Sequence, residues 1–339
     1  MTHRSSDGTR RPGPRPVTTV AIDGAGTDLG RRVADLAVAQ DGVAVVGPRA
    51  RHDLIDGDHL VVLAPADGPE IDGTTVGGIG LEAALRLLRH TTATQVVVLS
   101  SAMVYGARAA NPVPLTEDDP MRPVPDCAFA LAKADLERAA AELRARRPGT
   151  RVAVLRPPVC VAGGPQRDWL ERSGWHAHTT RLVGRGRVAQ FLHVEDLARA
   201  VEFCRRSGLD GVYDVAPDGW LTEEQQLELV GAGRPPRLEP EVGRRWSRFR
   251  WSVGAASTPP DLFAYTQYSW VVDNARLRAA GWAPVHTNEE AFVMGHRPGW
   301  WSALPPDRRQ AVSLGAAIGA VGLLVAAVVL GLRRLVRRP

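Results

Sequence analysis

The chain has 339 residues, 44% hydrophobic and 23% charged, a globular balance that excludes collagen-like, wholly disordered and disulfide-scaffold classes. Its 42 Lys and Arg against 37 acids leave a net charge of +5, yet Lys133 is the one lysine among them. The arginines interleave with acids instead of clustering on one element, which argues against a nucleic-acid partner.

Residues 1–16 are polar, basic and rich in Pro and Gly, with no apolar stretch of signal-peptide type; a disordered arm is expected. From Val17 the chain reads strand, glycine turn, helix: VTTVAID, GAGTDLG, RRVADLAVAQ. Apolar runs at 43–47, 59–66, 95–106 and 151–159 alternate with helical spacing at 80–90 and 130–147. Continuous apolar strands between helices predict a parallel sheet covered on both faces, a doubly wound, Rossmann-like α/β fold. Beyond residue 160 the alternation loosens. Helices are predicted at 195–206 and 222–231, a strand at 211–217, a loop over the Pro/Arg/Trp-rich stretch 234–260, and helical pattern again at 272–296.

Residues 311–332 are 22 uncharged, mostly apolar residues. At 1.5 Å per residue they reach roughly 33 Å, enough to cross the hydrocarbon layer. Trp300 and Trp301 precede the segment and Arg333, Arg334, Arg337 and Arg338 follow it, as interface residues do around a membrane span. The expected organisation is a basic arm (1–16), one α/β domain (17–300) with a substrate lobe mainly within 160–295, a transmembrane helix (311–332) and a basic tail (333–339). The domain is expected on the cytoplasmic side, although the four tail arginines run against the positive-inside tendency and are nearly balanced by Arg297, Arg308 and Arg309. Cys127, Cys160 and Cys204 are odd in number and carry no CxxC or Cys/His spacing, so neither a disulfide framework nor a metal site is expected.

Several motifs in order resemble the extended short-chain dehydrogenase/reductases of the NAD-dependent epimerase/dehydratase type. They are SSAMVYG (100–106), PLTEDDPMRPVPDCAFALAKADLE (114–137), LRPPV (155–159), GRGRVAQFLHVEDLARAV (184–201) and DNARLRAAGWAP (273–284). The resemblance implies a nicotinamide cofactor at a glycine turn. Here Gly24, Gly26 and Gly30 are spaced GxGxxxG, with Thr27 at the usual middle glycine and Asp28 beside it. Such a turn lets backbone approach a pyrophosphate at a helix N-terminus. Where a carboxylate would hold the ribose hydroxyls, the chain has Arg49 and Arg51, which slightly favours NADP over NAD. Twelve residues, 48–59, separate the second and third strands, short for the adenine side of such a pocket.

The resemblance also implies a Tyr four residues before a Lys on one helix face, with a Ser at the end of the preceding strand. Ser101 and Lys133 match; the Tyr position is Phe129, and no YxxxK occurs in the chain. Phenylalanine has no proton to exchange. Tyr105 is the nearest substitute in sequence, with packing beside its loop as the alternative. Lysine is a compact point charge that arginine does not replace, so the solitary Lys133 is expected at a cofactor ribose. Arg185 and Arg187 are candidates for a nucleotide-sugar diphosphate, and His193 is expected to join a strand to a helix.

Three functions remain open. One is a membrane-anchored NAD(P)-binding protein with impaired catalysis, acting as sensor, scaffold or partner subunit. Another is an active oxidoreductase or epimerase on a nucleotide-sugar or lipid-linked substrate. The third is an interaction module without cofactor. A homodimer is compatible with each.

Overall fold

The computed structural model describes residues 17–46, 58–63, 79–162, 181–182, 186–231, 237–254 and 259–295. Strand β1 (Thr18–Asp23) leads through a tight turn into helix α1 (Asp28–Val38), followed by β2 (Val43–Val46) and β3 (His59–Val62). Helix α2 (Ile79–His90), β4 (Gln95–Leu99), α3 (Ala128–Arg146) and β5 (Arg151–Arg156) come next. Then follow β6 (Val159–Val161), β7 (Phe191–His193), α4 (Val194–Arg206), β8 (Gly211–Asp214), α5 (Glu223–Leu229), α6 (Pro240–Ser252) and α7 (Asn288–Gly295).

The main sheet has the order β8-β5-β4-β3-β1-β2, and every neighbouring pair is parallel. Alternation within the strands divides its side chains between two cores. Ile22, Val61, Val97 and Leu155 pack with Val33 of α1 and Leu197 and Val201 of α4. Ala21, Val62, Val96 and Val154 pack with Leu88 of α2 and Leu136 and Leu143 of α3. A sheet buried on both faces cannot spare polar positions, which is why its strands read as unbroken apolar runs. The chain enters at β1, winds outward to β2, then returns past β1 to β3. The crevice outside the carboxyl ends of β1 and β3 is therefore the topological switch point, where ligands of such sheets bind.

A smaller group closes over the β5 end. Strands β6 and β7 pair in parallel, Val159 opposite Phe191 and Val161 opposite His193. Phe292 of α7 lies on Phe191, ring centres 4.8 Å apart.

Three sequence expectations need correction. The run expected as strand to residue 106 leaves the sheet after Leu99. Ser101 Oγ accepts the Met103 amide and starts a 3-10 turn over Ala102–Tyr105. The stretch 234–260, expected as loop, contains α6, which opens with Pro240 in its first turn, where a missing N–H costs nothing. The helical pattern at 272–296 is broken: a short turn, Ala275–Ala279, ends before Gly281 at φ +105°, and α7 begins only at Asn288. Among the described residues no helix is long and apolar enough to cross a membrane. The basic arm 1–16, the segment 311–332 and the tail 333–339 lie outside the described residues.

Candidate functional site: the carboxyl edge of the sheet

The glycine turn joins β1 to α1 at the switch point, and its three glycines do different work. Gly24 stands at φ +88°, a conformation L side chains rarely adopt. A Cβ on Gly30 would lie 2.1 Å from the Gly24 carbonyl oxygen, so Gly30 is needed for the helix to pack against its own turn. A Cβ on Gly26 would meet nothing within 4 Å; this position faces open space. Thr27, in place of the middle glycine, closes the turn itself. Its hydroxyl donates to the Gly24 carbonyl (2.7 Å) and accepts from the Gly30 amide (3.0 Å). The charge of Asp28 is balanced by Arg31 at 3.5 Å and Arg32 at 3.0 Å, and Arg32 also reaches Glu195 of α4 at 3.0 Å.

Asp23, immediately before the turn, was not singled out by the sequence. Its Oδ2 is buried with no hydrogen-bond partner. Burial pushes its carboxyl above the ordinary range, and the nearby Lys133 ammonium pulls it back. An acid closing an otherwise apolar strand was the available signal.

Lys133 projects from α3 to the end of β4, where its Nζ donates to the Leu99 carbonyl at 2.9 Å. Phe129 lies one turn earlier on the same helix face, its ring centre 5.6 Å from that Nζ. Ser101, two residues beyond Leu99, is buried. The structure thus brings Ser101, Phe129 and Lys133 to one edge, with Asp23 within reach of the Lys133 charge.

Tyr105 is engaged elsewhere. Its hydroxyl accepts from Arg156 Nη1 at 2.7 Å and donates to the Asp214 carboxyl, 3.0 Å from each oxygen. The side chain is 2% exposed, and burial together with Asp214 drives its pKa upward. A hydroxyl so bonded and so weakly acidic is a structural group; this corrects the suggestion that Tyr105 substitutes as proton donor. The network continues inward. Arg156 forks onto Glu137 of α3 (Nη2–Oε2 2.6 Å), and Ser100 donates to the same carboxylate. Burial raises the Asp214 carboxyl well above its usual range, with Glu117 adding to the effect and Arg156 opposing it.

Arg187 is buried. Burial lowers its pKa to about 10, with Glu223 opposing. Arg49, Arg51 and Arg185 lie outside the described residues. His193 caps α4, its Nδ1 accepting the Glu195 amide at 3.2 Å, and stacks on His286 with ring centres 3.9 Å apart. With Glu195 these histidines form a group of metal-ligating type, one ligand atom of each lying within 4.8 Å of the others.

The carboxyl edge suits a dinucleotide on two observations: the open space over Gly26 and the orphaned Asp23 Oδ2. The orphaned Asp23 oxygen leaves a polar group at this edge for a ligand to satisfy, and a turn open at Gly26 admits a pyrophosphate to the backbone.

Residues 78–216 match the NAD dependent epimerase/dehydratase family. The match contains Ser101, Phe129 and Lys133 and begins after the glycine turn. The uncharacterized proteins Rv0501 of Mycobacterium tuberculosis and Mb0513 of Mycobacterium bovis are each 31% identical over 202 residues, which is 58% of this chain and 52% of theirs. The chain thus spans about half the length of the curated relatives it matches. Among solved structures it resembles RMD from Pseudomonas aeruginosa complexed with NADPH (TM-score 0.56, 20% identity, 82% of this chain and 96% of that one). It also resembles human epimerase family protein SDR39U1, isoform 2, with NADPH (0.57, 17%, 81% and 98%). A third is UDP-glucose 4-epimerase from Thermus thermophilus with NAD (0.52, 18%, 82% and 97%). At these identities the likeness is one of fold.

Proposed function

We propose that this chain binds a nicotinamide dinucleotide at the Gly24–Gly30 turn and Lys133, has lost the standard proton exchange, and works as a sensor, scaffold or partner subunit held at a membrane. The observation carrying this reading is the Phe129 ring standing beside Lys133 while the Tyr105 hydroxyl is committed to Arg156 and Asp214 and the Tyr265 hydroxyl donates to the Met103 carbonyl. When bound, the nicotinamide supplies hydride exchange; a proton must then move at the substrate oxygen. Phe129 has none to give. Ser101 can orient an oxygen through its hydroxyl, but a serine is too weak an acid to serve as the exchanging group. Lys133, whose ammonium donates to the Leu99 carbonyl at this edge, is the cation proposed to meet a ribose.

NADPH or NAD in the structural neighbours supports a nicotinamide cofactor, and Arg49 and Arg51 lean the proposal toward NADP. The anchor proposed is residues 311–332, with the domain cytoplasmic. The substrate class proposed, should one be turned over, is a nucleotide-sugar or lipid-linked compound near Arg185 and Arg187. A second reading, an active oxidoreductase or epimerase, is favoured by Asp23, a carboxyl at the same edge whose buried Oδ2 has no hydrogen-bond partner.

The test is titration of the full chain in detergent with NADPH and NADH, followed by nicotinamide fluorescence, with Phe129→Tyr alongside. Dinucleotide binding, and a gain in hydride exchange of about 10²-fold or more on restoring the hydroxyl, support the proposal. Lack of binding overturns it, as does substantial wild-type exchange that the substitution leaves unchanged. Loss of such exchange in Asp23→Asn supports the second reading.

A further inference from the structure

Helix α6 presents an apolar stripe to the outside. Val242, Trp246 and Phe249, with Val253 at its C-cap, are 53%, 46%, 55% and 57% exposed. Spacings of four, three and four residues keep all four within a narrow arc of a 3.6-residue helix. Gly243, Ser247, Arg250 and Trp251, on the adjoining arc, are the more buried positions of the helix. Trp246 and Phe249 stack on each other, ring centres 5.7 Å apart, so the stripe is a preformed aromatic surface. Arg244, Arg245 and Arg248 are exposed on a third arc, which runs from the buried side at Arg244 to the edge of the stripe at Arg245, and none is ion-paired among the described residues. The helix carries four arginines against one acid, Glu241. A soluble surface helix keeps its large apolar side chains turned inward; α6 turns them out, between its packed face and its charged face.

We infer that α6 is a membrane-surface helix that lies on an anionic bilayer, Trp246 and Phe249 entering the headgroup boundary and Arg245 and Arg248 meeting lipid phosphates. An aromatic stripe with an arginine-rich flank is the composition that seats helices in this interface. Nucleic acid also attracts arginine and aromatic rings, but it is bound by charged grooves with stacked bases, and Val242 and Val253 complete a surface suited to acyl chains. The inference rests on the membrane span of the proposed function in one respect, delivery to the bilayer. Each arginine at such a surface is worth about fivefold in partitioning.

The experiment uses the full chain in vesicles of pure phosphatidylcholine and in vesicles containing about a third phosphatidylglycerol, with hydrogen exchange followed over residues 240–254. Exchange is expected to slow about tenfold in the anionic vesicles, the slowing to vanish in Arg245→Glu/Arg248→Glu, and β4 and β5 to exchange alike throughout as a control on folding. Equal exchange of α6 in both vesicles overturns the inference. So does protection in detergent that grows with protein concentration, which indicates a second copy, or protection in neutral vesicles that requires added single-stranded DNA. Alkaline carbonate extraction reads the span separately. Release of the chain removes the span and leaves the lipid dependence of α6 standing, whereas retention with unprotected α6 removes this inference alone.

Discussion

The Lys133 ammonium stands 5.6 Å from the centre of the Phe129 ring, one helical turn away on the same face of α3. That spacing is the one at which the resemblance drawn from the sequence expects a phenol four residues before the ammonium; the ring at this position carries no hydroxyl. Loss of one polar atom leaves the packing of the helix unchanged, because Phe129 is buried either way.

The two outer residues of the glycine turn separate folding from binding. Gly30→Ala forces a Cβ to 2.1 Å from a backbone oxygen and 2.8 Å from the Ala25 Cα, so α1 must shift and the melting temperature is expected to fall by several degrees or more. Gly26→Ala meets open space and should leave the melting temperature nearly unchanged while weakening dinucleotide binding. Calorimetry and titration on the same two variants check both halves.

Asp23 predicts a pH dependence of that binding. Its carboxyl is raised by burial, and an adjacent diphosphate raises it further, since like charges disfavour ionisation. Affinity should therefore fall as pH rises through the Asp23 pKa, and Asp23→Asn should bind more tightly with a flatter profile. Titrations at several pH values check this; a wild-type affinity that rises with pH contradicts it.

The buried Arg156–Glu137 pair predicts asymmetry between single and double substitutions. Both side chains are at most 5% exposed, so Glu137→Leu leaves a buried guanidinium beside Tyr105 without its carboxylate and should cost about 3–5 kcal/mol. Replacing both, as Glu137→Leu/Arg156→Met, removes the stranded charge and should cost clearly less than the sum of the singles. Denaturant melts of the three variants supply the cycle.

For Asp214 the linkage runs with the proton. Its folded-state pKa is raised, chiefly by burial, so the folded chain holds a proton that the unfolded chain releases at ordinary carboxylate pH. Its contribution to stability is complete below the unfolded value and is lost as pH rises through the folded one. Asp214→Asn cannot ionise, and its melting temperature relative to wild type should climb as pH is raised. A difference that is flat with pH refutes this assignment.

The sheet was legible because its strands are buried on both faces, and an apolar run such as QVVVL has few other places to go. The site was legible where one residue type at one spacing carried the meaning: Phe129 with Lys133, and Gly24 with Gly30. For Tyr105, SSAMVYG left two roles open, and the 3-10 turn over Ala102–Tyr105 decides for packing by carrying its hydroxyl toward β5 and β8. Asp23 went unseen because its importance comes from what surrounds it, the lack of any partner for Oδ2, and no spacing encodes that. Helix α6 was hidden for another reason: its apolar positions point outward, so composition read it as irregular.

One further consequence follows from the position of Lys133. It is the chain's one lysine, it is 2% exposed, and its nitrogen is held by the Leu99 carbonyl. An amine-directed reagent therefore finds no accessible side chain on the folded protein, and acylation at position 133 can occur only when the edge of the sheet opens. The rate of that acylation is an intrinsic clock for opening, and a ligand seated on this edge would slow it without any label being introduced.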